Sequence, residues 1–64
     1  MTPPGWEEIS IEYEGKIISG AYRKAGNIVS VRTVRAEKEA KLAGFTPLYL
    51  AKMLLRELAR EGKA

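Results

Sequence analysis

Apolar and polar side chains alternate from Glu7 to Tyr13: Ile9, Ile11 and Tyr13 are apolar, Ser10 and Glu12 are not. A period of two predicts a strand with one buried face. Glu14–Gly15 suits a two-residue hairpin turn, and Lys16–Ala25 then reads as a second strand. Gly26–Asn27 suits another turn with glycine first. Residues 28–35, rich in β-branched side chains, read as a third strand.

The turns set the register. Ile11 falls opposite Ile18, Gly20 opposite both Ile9 and Thr33, and Tyr22 opposite Val31. One face then collects Ile9, Ile11, Tyr13, Ile18, Tyr22, Val29 and Val31. A slip of one residue would scatter this set over both faces, so the agreement supports the pairing. The other face collects Ser10, Glu12, Ile17, Ser19, Ala21, Arg23, Ser30, Arg32 and Val34. Gly20, in mid-strand, leaves room for a packed helix or a bulge.

A helix is expected over residues 47–61. Thr46 caps its first amides, and Pro47 occupies the position where a missing amide costs nothing. Phe45 is placed to pack on Leu50, and Gly62 to close the far end. At about 100° per residue, Leu48, Ala51, Leu55, Leu58 and Ala59 form a core stripe. Leu50 and Leu54 widen it to about half the circumference, and Tyr49 and Met53 lie beyond, among Arg56 and Arg60. Residues 36–45 read as a loop holding one helical turn at most. The fold class is therefore α+β: a single domain over 1–64, with a three-stranded antiparallel β-meander followed by one C-terminal amphipathic helix.

Three strands do not shelter so wide an apolar helix. A second copy, packed helix to helix across a twofold axis, is the simplest cover for Leu50, Met53 and Leu54, so a homodimer is expected. The competing cover is residues 36–45 folding back, with Leu42 and Phe45 as the shelter. Size favours the dimer, because a chain of 64 residues buries only about 60% of its unfolded surface. Without Cys, disulfides are excluded, and without His, Cys or Asp a metal site has almost no ligands.

Charge adds a second theme. The net charge is +3, but residues 1–15 hold four glutamates and no basic residue. Residues 16–41 hold seven Lys or Arg against two Glu. Within that basic band Arg23, Lys24, Arg32 and Arg35 are the candidate nucleic-acid contacts, with small Ser19, Ala21 and Ser30 allowing close approach. A β-ribbon can enter the major groove, where arginine is the favoured reader of guanine. The competing reading of each arginine is a solvated surface charge. The layout is similar in architecture to the small DNA-binding domains of plant ethylene-response factors and the arm-binding domains of phage integrases, although no motif of either is matched.

Catalysis has little to work with. There is no Cys or His, the serines fall on strands, and the paired glutamates read as solvated charges. No phosphate-cradling glycine loop is present, and no cofactor is expected. Trp6 reads as a lid on one end of the core. With no signal-peptide pattern and no apolar run near the ~20 residues of a membrane span, a cytoplasmic protein of bacterial type is expected. Its expected function is non-enzymatic binding, of nucleic acid through the basic sheet face. The alternative is a protein–protein interaction module or regulatory subunit acting as a homodimer. Neither a membrane nor a metal is expected as a partner.

Overall fold

The computed structural model describes residues 4–64. Its elements are β1 (Glu7–Tyr13), β2 (Lys16–Ala25), β3 (Ile28–Arg32), β4 (Glu37–Lys41) and α1 (Pro47–Arg60). The strands form one antiparallel sheet in the order β1-β2-β3-β4, and the C-terminal helix lies across one side of it. The fold is α+β, as the pattern implied, but the meander has four strands instead of three. Pro4 and Gly5 form a turn before β1.

The first hairpin has the expected register, with Ile9 opposite Gly20 and Ile11 opposite Ile18. Its turn residues Glu14 and Gly15 both take positive φ (53° and 79°), the twist that matches a two-residue hairpin. Tyr22 pairs with Val31 in the second ladder.

The segment read as a loop is the fourth strand. Helix-favouring residues in so short a stretch cannot nucleate a helix alone. Pairing with β3 instead satisfies an edge that would otherwise be open beside Val29 and Val31. The alternation of Glu37-Lys38-Glu39-Ala40-Lys41 suits it, because Lys38 falls opposite Val31 and Ala40 opposite Val29, on the helix side. β3 is correspondingly shorter than expected. It ends at Arg32, and the chain turns where the Thr33 amide donates to the Ala36 carbonyl at 2.8 Å. The Thr33 hydroxyl donates to the Lys63 carbonyl at 2.7 Å, tying this turn to the chain just past the helix.

The extra strand changes how the helix sits. The core consists of Ile9, Val29, Val31, Leu50, Ala51, Leu54, Leu55 and Leu58, with Ile11, Ile18, Tyr22, Ala36, Ala40 and Leu42 packed around it. The buried stripe of α1 is turned by about 60° from the expected one, judged from residue positions at 100° each. Leu50 and Leu54 are each only 4% exposed, while Leu48 is 45% exposed. Of Leu50, Met53 and Leu54, expected at a subunit interface, Leu50 and Leu54 are thus buried within their own chain. Met53 remains half-buried. Each leucine moved from surface to core contributes about 1.5–3 kcal/mol, a large share of a small domain's stability.

Gly20 permits the helix to approach. A Cβ there would stand 2.8 Å from the Arg32 carbonyl oxygen and 3.1 Å from Leu55 Cδ1. At the start of α1 the Thr46 Oγ1 accepts from the Tyr49 amide at 3.2 Å. At its end Gly62, with φ of +75°, donates to Ala59, and the Lys63 amide donates to Leu58. Phe45 pairs with the Tyr49 ring at 5.4 Å and is left 45% exposed, so the expected staple onto Leu50 gives way to a surface aromatic pair. Lys38 fastens β4 to the helix, with Nζ 3.0 Å from Glu57 and 2.8 Å from Glu61. Among the described residues no helix is long and apolar enough to cross a membrane.

Candidate nucleic-acid interface

The side of the sheet away from the helix carries Glu8, Ser10 and Glu12 from β1 and Ile17, Ser19, Ala21 and Arg23 from β2. Ser30 and Arg32 stand on β3, with Glu37, Glu39 and Lys41 on β4. Ile17 is 71% exposed, so this face is open to solvent. Ser30 is nonetheless buried, and its hydroxyl donates to Glu39 at 3.3 Å.

Trp6 belongs to this face. Continuing the strand alternation back from Glu8 puts it on the side opposite Ile9, away from the core it was expected to close. Its ring lies 5.1 Å from the guanidinium carbons of both Arg23 and Arg32. The register explains the convergence: Arg32 stands opposite Ala21, whose methyl is too small to hold the ring away from the middle strands. Arginine stacked on indole is a favourable cation–π pair even at exposed sites. Arg32 is also 4.0 Å from Glu37, with both side chains about half exposed.

A cleft of about 540 Å³ opens beside the indole, lined by Gly5, Trp6, Glu7, Tyr22, Arg23, Lys24 and Pro47. Lys24 sits on the helix side of the sheet, yet at the strand end it reaches the same cleft as Arg23. Glu7 is engaged within it: the hydrogen bond from the Tyr22 hydroxyl to that carboxylate, helped by burial, holds the phenol above its ordinary pKa.

Two of the four basic candidates thus meet on one aromatic ring, Lys24 lines the cleft beside it, and Arg35 stands apart. Arg35 lies in the β3–β4 turn and donates to the Gly62 carbonyl at 3.5 Å, near the carbonyl end of α1. The basic band is also less basic in space than in sequence. Glu8 and Glu12 flank the open face on one edge, Glu37 and Glu39 on the other. Among the described residues no group of three or more His, Cys, Asp or Glu side chains is placed to hold a metal ion.

Trp6 is the member of this cluster that reading the sequence assigned to the core. The signal was present, since extending the two-residue period by one step assigns it to the arginine face. No family profile, curated protein or solved structure matches the chain.

Proposed function

We propose that the chain is a non-enzymatic module that binds single-stranded nucleic acid at the Trp6 end of the sheet. The observation that carries the reading is the stacking of Arg23 and Arg32 on the indole, with Lys24 lining the adjoining cleft. Single-strand binders combine an aromatic platform for a base with cations that follow the phosphates, and a stacked base is worth about 1–3 kcal/mol. A duplex laid across the open face would press its phosphates on Glu12 at one edge and on Glu37 and Glu39 at the other. A single strand entering at the cleft meets the cations first. This favours single strands over the major-groove reading of an arginine-bearing ribbon.

The test uses the only tryptophan in the chain. Adding a mixed-sequence single-stranded 12-mer at low salt should quench Trp6 emission as a base stacks on it. With three phosphate contacts, log K should fall with log salt at a slope of about −2. Arg23→Glu should abolish the quenching. Unchanged emission, and unchanged anisotropy of a labelled strand at low salt, would refute the proposal for both DNA and RNA.

A further inference from the structure

The outward side of α1 is the other large unpartnered surface. Tyr49, Lys52, Met53, Arg56 and Arg60 fall within about 100° of the helix circumference, opposite the buried leucines. Tyr49 is 55% exposed, and Phe45 and Leu48 beside it are 45% exposed each. Tyr49, Met53, Arg56, Glu57 and Arg60 enclose a shallow concavity of about 290 Å³. We propose that this strip docks an acidic protein segment that carries large apolar side chains.

Charge selects the occupant. No ion pair among the described residues involves Lys52, Arg56 or Arg60, and the one carboxylate in the concavity, Glu57, is held by Lys38 at 3.0 Å. The strip is therefore a row of three cations outside ion-pair distance of any carboxylate, Arg60 acting on Glu61 only at longer range, and it rises one turn at a time at about 6 Å intervals. A second copy packed here across a twofold axis would set these cations against their own images, which works against the same face as a dimer seam. An acidic partner is attracted instead, and its association is accelerated by the field. Apolarity narrows the choice further. Leu48 and Met53 offer nothing to a phosphate or a base, but with Phe45 and Tyr49 they suit aliphatic or aromatic anchors. The concavity receives a protruding side chain, where a flat bilayer has none to offer. A helix or extended segment with carboxylates along one flank and apolar anchors along the other meets all three conditions.

The experiment sorts a random 16-residue peptide library, displayed on yeast, against the full chain. Enriched peptides should be net acidic with at least two large apolar residues. A synthesised winner should lose about tenfold or more in affinity to the double variant R56E/R60E, and a comparable amount to Tyr49→Ser. Ile17→Ser, on the opposite side of the sheet, should leave it unchanged. Circular dichroism should show every variant folded. No enrichment, enrichment of basic or neutral peptides, or indifference to R56E/R60E overturns the proposal. So does binding of mixed-sequence nucleic acid or of phosphatidylglycerol vesicles that R56E/R60E abolishes, and so does self-association that Tyr49→Ser abolishes. The single-strand reading rests on Trp6 emission and is untouched by any of the peptide, vesicle or self-association outcomes.

Discussion

The two proposed binding surfaces differ in how far their side chains are already committed to one another. At the Trp6 end of the sheet, the cations are engaged internally: Arg23 and Arg32 lie against the indole, and Arg32 also reaches Glu37. On the outward side of α1, Lys52, Arg56 and Arg60 form no ion pair within 4.0 Å among the described residues, and the aromatic pair Phe45–Tyr49 is about half exposed. The first surface is preorganised and contributes to the stability of the sheet. The second costs the fold little and is available in full to a partner. Substitutions should therefore separate the two, stability and binding moving together at the first and apart at the second.

The largest effect is expected where both surfaces depend on the same core. Gly20→Val would force side-chain atoms into the Arg32 carbonyl and Leu55, at a cost of about 3 kcal/mol or more. For a domain this small, chemical denaturation should show little folded protein, and both binding activities should vanish together. Next, Trp6→Ala should destabilise by about 1–2 kcal/mol, because two cation–π contacts and partly buried aromatic area are lost. Nucleic-acid binding should go with it, while affinity for an acidic peptide at α1 stays intact. By contrast, R56E/R60E should shift the unfolding free energy by no more than about 0.5 kcal/mol while removing peptide binding.

The smallest effect concerns the Lys38 clamp between β4 and α1. The hydrogen bonds to Glu61 and Glu57 hold the Lys38 amine above its ordinary pKa. The same contact to Lys38 holds the Glu61 carboxyl below the usual carboxylate range. A lowered carboxyl contributes stability that is present at neutral pH and lost as pH falls through the lowered value. A raised amine contributes stability lost only as pH rises through the raised value, on the alkaline side. Lys38→Met should therefore flatten the acid limb of a Tm profile taken between about pH 3 and about pH 7. An unchanged acid limb would place the acid sensitivity elsewhere.

Much of this arrangement was legible in the residues because local physics dictated it. The two-residue period fixed β1 and β2 and their register, and Thr46, Pro47 and Gly62 bounded the helix through backbone hydrogen bonding. β4 was harder to see, because Glu37–Lys41 favours helix locally and becomes a strand only when β3 offers a ladder. That non-local pairing also decided the helix rotation. Without β4 the leucine-rich circumference pointed to a twin chain, whereas with it Leu50 and Leu54 turn inward and Leu48 turns out. The arginine cluster was half legible. Strand alternation put Arg23 and Arg32 on one face, but Trp6 was assigned by its size to the core instead of by its parity to the sheet. Lys24 reaches the same cleft from the other side only because it stands at a strand end.

The central claim is that four strands absorb the broad apolar side of α1 within one chain, which leaves the Tyr49–Arg60 side free. Comparing the unfolding free energies of Leu54→Ala and Leu48→Ala tests this most directly, since the two leucines share a helix and differ in the face they occupy. Leu54→Ala should lose about 2–4 kcal/mol and Leu48→Ala less than about 1 kcal/mol. Equal losses, or a greater loss at Leu48, would contradict the account.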